Sequence, residues 1–167
     1  MDANEPGAGP QGPRTEPSME QWNAVLDDME ATAAELDEAG WETLVCHPGD
    51  VTTVMQNREP GVDVLLSGDE YAAIAEAVDS GVTFDAYEVY RAAAESVVYA
   101  VIVAQDEATS TAALVPVYLD QGDLHTVIEL EREEPGLPLY LRRLDNEMIE
   151  LRLDDPSLLL EDPSADG

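Results

Sequence analysis

Residues 84–119 read FDAYEVYRAAAESVVYAVIVAQDEATSTAALVPVYL, and this stretch decides the fold class. Three runs suited to β-structure lie inside it. Phe84–Arg91 alternates loosely, Val97–Gln105 is apolar at nearly every position, and Ala112–Leu119 sets Val115, Val117 and Leu119 on one face. Short turns of polar and small residues link them, which predicts an antiparallel three-stranded meander. A run as uniformly apolar as Val97–Gln105 calls for cover on both faces of the sheet. Pro116 lacks an N–H for the ladder and places the third strand at an edge there.

Upstream of the meander the pattern switches to a helical period. Ser18 has Gln21 three residues on, a capping-box arrangement, and Trp22, Val25, Leu26, Met29, Ala33 and Leu36 then form one apolar stripe. Gly40 suits the left-handed position after the helix, with Trp41 folding back onto Leu36. Thr43–Cys46 reads as a short strand ending in the turn His47-Pro48-Gly49-Asp50, residues 55–61 as loop, and Val62–Leu66 as a brief buried strand. Ser67 repeats the capping logic for a second helix carrying Tyr71, Ile74, Ala75 and Val78 and stopping at Gly81. Downstream, Asp123–Arg132 fits a helix through Leu124, Val127 and Ile128, with a strand left open. Leu139–Leu144 and Met148–Leu153 flank Asp145-Asn146 as a two-residue hairpin turn, which sets Arg142 opposite Ile149 and Arg143 opposite Met148.

These elements predict one α+β domain over residues 18–154. Its antiparallel sheet combines the central meander with a C-terminal hairpin, and two or three helices pack on one face. Residues 1–17, with four prolines and three glycines, read as a disordered leader. Residues 155–167 read as an acidic tail, interrupted by Leu158-Leu159-Leu160, which either docks on the domain or forms a short contact motif.

Aspartate and glutamate total 37 against seven arginines and no lysine, a formal net charge of -30. Such a surface repels itself in dilute buffer, whereas at about 1 M salt the screening length shrinks to about 3 Å. The balance therefore points to a salt-filled cytoplasm. It disfavours nucleic acid and anionic lipid in dilute buffer, but discriminates little where every protein is acidic. The apolar fraction of 44% argues against wholesale disorder. A single cysteine, Cys46, implies no internal disulfide. The start of the chain lacks signal-peptide features, and the longest apolar run, Val97–Ala104, falls short of the ~20 residues of a membrane helix. The expectation is a cytoplasmic, soluble protein.

The run from Trp22 through AVLDDMEATAAELDEAGWETLVCHPGDVT, with DVLLSGDE and FDAYEVYRA, resembles a family of small haloarchaeal proteins of unknown function. The resemblance covers most of residues 20–119. It implies a haloarchaeal origin and supplies no activity, substrate or catalytic residue.

Two constellations hold chemistry-bearing residues. Cys46, His47 and Asp50 combine a thiol, an imidazole and a carboxylate, the groups of a small hydrolase or metal-assisted enzyme. Adjacent strand residues point to opposite faces, however, so Cys46 and His47 converge only if the strand has broken. The structural alternative is a core cysteine, a turn histidine and a local Asx contact. His125 falls on the polar side of its helix. Ser67-Gly68-Asp69-Glu70 lacks the glycine spacing and lysine of a phosphate loop. The second constellation is Arg132, Arg142, Arg143 and Arg152, four of the seven arginines within 21 residues. Local salt bridging to Glu147 and Glu150 competes with a guanidinium patch for an anionic ligand, nucleic acid or acidic partner. Tyr87, Tyr90, Tyr99, Tyr118 and Tyr140 suit cross-strand packing, or a contact surface if one face is open. No metal spacing or nucleotide loop appears and no cofactor is implied. The leading expectation is a non-enzymatic protein-binding or regulatory module, acting on a protein partner or as a homodimer.

Overall fold

The structure is a computed structural model that describes residues 18–130 and 135–160. The expected leader, Arg132 and residues 161–167 of the expected tail lie outside the described residues. In chain order the elements are α1 (Met19–Glu38), β1 (Glu42–Val45), β2 (Asp50–Val54), β3 (Gly61–Leu65), α2 (Gly68–Asp79), β4 (Ala86–Ala94), β5 (Val97–Asp106), β6 (Thr111–Asp120), α3 (Gln121–Glu129), β7 (Leu137–Arg142), β8 (Met148–Leu153) and α4 (Ser157–Leu160).

The strands form two four-stranded sheets, ordered β1-β6-β5-β4 and β2-β3-β7-β8. The meander pairs as expected, antiparallel throughout, with Tyr90 opposite Val101 and Ile102 opposite Val115. The fold is α+β, but the expectation of one antiparallel sheet is corrected to two mixed sheets. β1 runs parallel to β6 and β3 parallel to β7. Both parallel pairs join strands far apart in the chain, and local periodicity carries no information on the direction of such a pairing. Pairing of β1 with β6 ends at Leu114, so Pro116 sits where β6 has only β5 beside it.

The inner faces of the sheets meet in the main core. Val98, Ala100, Ile102, Val115 and Val117 come from one sheet, and Val62, Val64, Leu139, Leu141 and Leu153 from the other. Helix placement also departs from expectation. The α1 stripe of Val25, Met29 and Ala33 covers the opposite face of the first sheet, against Tyr99, Val101, Val103 and Leu114. Tyr71 and Ile74 of α2, Leu124 and Val127 of α3, and Leu159 of α4 join the inter-sheet core instead. β5 is thus buried on both faces, as its apolar run requires. The docked alternative for Leu158-Leu159-Leu160 is the one adopted, with Leu159 fully buried.

Local signals placed the helix ends well. Ser18 Oγ accepts from Gln21 N–H, and Ser67 Oγ from Glu70 N–H. Past α1, Trp41 N–H reaches the Leu36 carbonyl at 2.9 Å while Gly40 adopts φ +93°, the left-handed cap that glycine tolerates best. Residues 121–129 are helical, with Asp120 as the cap. β2 is a strand that the sequence pattern does not announce, because Asp50 suits the preceding turn equally well. The hairpin register is shifted by one residue: Arg142 faces Met148 and Leu141 faces Ile149. Asn146 takes φ +72° and Asn146 N–H bonds the Arg143 carbonyl, which lengthens the loop beyond two residues. A one-residue shift exchanges the faces of the side chains.

Candidate functional site

The first constellation sits where the chain leaves the first sheet for the second. β1 ends at Val45, Cys46 N–H still bonds the Leu114 carbonyl, and Pro48-Gly49 turns the chain into β2. Cys46 is buried in the inter-sheet core. Burial, and after it the Glu70 carboxylate, push its thiol pKa up to about 12, so the thiolate form that nucleophilic chemistry needs is disfavoured. His47 points outward and is held on both sides. Nδ1 lies 3.0 Å from Glu70 Oε2 on α2, and Nε2 lies 3.2 Å from Glu30 Oε2 on α1. The hydrogen bond to Glu70 raises the imidazole pKa most; partial burial opposes it, and Glu30 adds to the rise. Asp50 opens β2 in the other sheet, opposite Leu65. The structure therefore brings His47 together with Glu30 and Glu70, and both ring nitrogens face glutamates rather than the thiol. Among the described residues, no group of three His, Cys, Asp or Glu side chains could hold a metal ion.

A cleft of about 240 Å³ opens beside this corner, lined by Thr43, Leu44, Val45 and Cys46 of β1 and its end and by Asp69, Glu70 and Ala73 of α2. Backbone direction explains its chemistry. Glu42 N–H donates to the Ser110 carbonyl and Cys46 N–H to the Leu114 carbonyl, so residues 42, 44 and 46 turn toward β6. In a parallel pair the alternate residues face the other way. Thr43, Val45 and His47 therefore direct their N–H and C=O groups toward α2. The His47 N–H follows this rule, meeting both oxygens of Glu70 at 3.0 and 3.1 Å. Thr43 and Val45 present the same groups to the cleft.

The second constellation is divided. Arg142 and Arg152 share the outer face of the second sheet with Tyr140 and Glu150, whereas Arg143 lies in the hairpin loop. There Arg143 bonds Asp145 and Glu147 and stacks over Tyr71 at 5.1 Å. Sequence reasoning missed the hub of this face. Asp63, nearly buried in mid-β3, takes Arg142 Nε at 3.0 Å and Arg58 Nη2 at 2.7 Å. Arg58 also stacks on Tyr140 at 4.4 Å, and Tyr140 donates to the Glu59 carbonyl. Arg152 bridges Glu59 and Glu150. The one legible signal was the charge within Val62-Asp63-Val64; its partners lie 5 and 79 residues away. Among the described residues, the remaining arginine, Arg91, donates from Nε to the Leu159 carbonyl, and its Nη1 is buried without a hydrogen-bond partner.

Residues 12–161 match the family of unknown function DUF7529. The chain belongs to that family. The expectation of an uncharacterised family is met on that point, and the match extends the resemblance through the C-terminal hairpin. No curated protein and no solved structure matches the chain. No helix among the described residues is long and apolar enough to cross a membrane.

Proposed function

We propose that this DUF7529 member is a cytoplasmic, non-catalytic protein-binding module that takes an extended segment of a partner along the free edge of β1. One observation carries this conclusion: the outward backbone groups of Thr43 and Val45 open into the cleft facing α2. An open strand edge is a template for pairing, and an added strand draws affinity from its main chain and selectivity from alternate side chains. A buried thiol held near 12 and a histidine engaged by two glutamates count against the small-enzyme alternative. Ion pairing of Arg142, Arg143 and Arg152 likewise counts against an anion or nucleic-acid site.

The test selects binders from a randomised display library of linear peptides in about 1 M KCl and maps them by amide hydrogen exchange. Slowed exchange at Thr43 and Val45 is expected. An empty selection, or protection only elsewhere, overturns the proposal. A second reading, homodimerisation, is favoured by β4, a nine-residue edge strand whose Tyr90 is half exposed. It requires a concentration-dependent dimer in sedimentation and protection confined to residues 86–94.

The surface charge supports a halophilic setting for either mode. A melting midpoint that climbs steeply between dilute buffer and about 1 M KCl is expected, and an unchanged midpoint would sink that part of the proposal.

A further inference from the structure

We infer that the segment captured at β1 is basic, with a lysine or arginine side chain seated against Glu70 and Asp69. This rests on the strand-addition reading above and adds to it the chemistry of the occupant. The wall that α2 contributes carries the carboxylates of Asp69 and Glu70, and the remaining described lining residues, Thr43, Leu44, Val45, Cys46 and Ala73, are uncharged. Glu70 is held rigidly. Its two oxygens face the His47 N–H, one also meets His47 Nδ1, and its backbone N–H is fixed by the Ser67 cap. Nearby, Thr43 Oγ1 donates to Asp37 Oδ1 at 2.9 Å, which sets a third carboxylate at the outer end of β1. An extended strand laid along Thr43–Val45 projects alternate side chains toward and away from the helix. A cation in that position meets the carboxylates of Asp69 and Glu70, the second of which already holds the His47 imidazole.

The occupant is assigned to another protein because no described arginine of a second copy suits this seat; Arg14 and Arg132 lie outside the described residues. This chain contains no lysine. Of its five described arginines, Arg58, Arg142, Arg143 and Arg152 are ion-paired, and Arg91 is tied to the Leu159 carbonyl. Its remaining surface is dominated by carboxylates, which the α2 wall repels. A basic segment has the opposite preference on both counts: attraction by the whole acidic field and a specific seat at Glu70.

Fluorescein-labelled pentapeptides of valine and threonine, differing only in a central arginine, lysine, glutamine or glutamate, provide the test. Anisotropy titrations on the full chain in about 1 M KCl should rank arginine and lysine about fivefold tighter than glutamine, with glutamate weakest. In a variant carrying both Asp69→Asn and Glu70→Gln the preference for arginine over glutamine should vanish while the glutamine peptide keeps its affinity. N-methylation of alternate backbone amides of the arginine peptide should abolish binding to the unaltered protein, a control that needs no change to the fold. Equal affinities across the series, with Thr43 and Val45 still protected, overturn the basic-segment inference and leave strand addition standing. Unimpaired binding of the N-methylated peptide overturns strand addition itself, as does failure of every peptide to bind.

Discussion

The outer faces of the two sheets are closed by opposite means. On the first sheet, Tyr99, Val101, Val103 and Leu114 lie beneath the apolar stripe of α1. On the second, no helix covers the outer face among the described residues; instead Arg58, Arg142 and Arg152 are laced to Asp63, Glu59 and Glu150 around Tyr140. A helix closes a sheet by removing apolar area from water, a non-directional gain that tolerates some repacking. An ion network closes it by geometry, and each partner then depends on the others. In a chain with seven basic residues, placing three of them on one sheet face is a structural commitment. Of the arginine cluster visible in the sequence, the described members Arg142, Arg143 and Arg152 are all ion-paired.

The contrast can be broken most forcefully on the helical side. Met29 is fully buried between α1 and the sheet, and Met29→Ala should cost about 3 kcal/mol in denaturant unfolding. A cost under about 1 kcal/mol would mean that α1 is not what closes this face. On the ionic side, Asp63→Ala should cost about 2 kcal/mol. The loss leaves two guanidinium groups without their carboxylate, and their partial exposure lets water recover part of it. Pairing Asp63→Leu with Arg142→Met should restore part of that stability. No restoration would show that this face depends on the network itself.

The smallest effect sharpens how α1 is held. His47 ties Glu30 of α1 to Glu70 of α2, and its pKa is raised in the fold. A raised histidine contributes stability that is fully present below its ordinary value of 6.5 and disappears as pH rises through the folded value. His47→Ala should therefore lower the melting midpoint near pH 5 and leave it almost unchanged near pH 9. With the imidazole half exposed, the difference stays under about 1 kcal/mol. An equal loss at both pH values would assign His47 a packing role instead.

Elements governed by neighbours in the chain were legible in advance. Caps at Ser18 and Ser67, the glycine stop after α1 and the antiparallel meander each depend on residues a few positions apart or joined by a short turn. β2 escaped because Asp50 and the two threonines of Asp50–Val54 resemble turn and loop composition, and only pairing with β3 makes them a strand. For the candidate site, adjacency in sequence suggested Cys46 with His47, although alternation sends one inward and the other outward. Glu30 and Glu70, the residues that engage His47, were indistinguishable from the other acids of so acidic a chain.

Sequence alone determined the charge character, the caps of α1 and α2, the meander and the need to bury β5 on both faces. Each follows from composition or from interactions closed over a few residues. Tertiary structure alone decided that β1 lies parallel to β6, that α1 closes one sheet while arginines close the other, and that the free edge of β1 faces the carboxylates of α2. Those outcomes depend on groups tens of residues apart, whose meeting is selected by the packing of the whole chain and leaves no local periodicity to read.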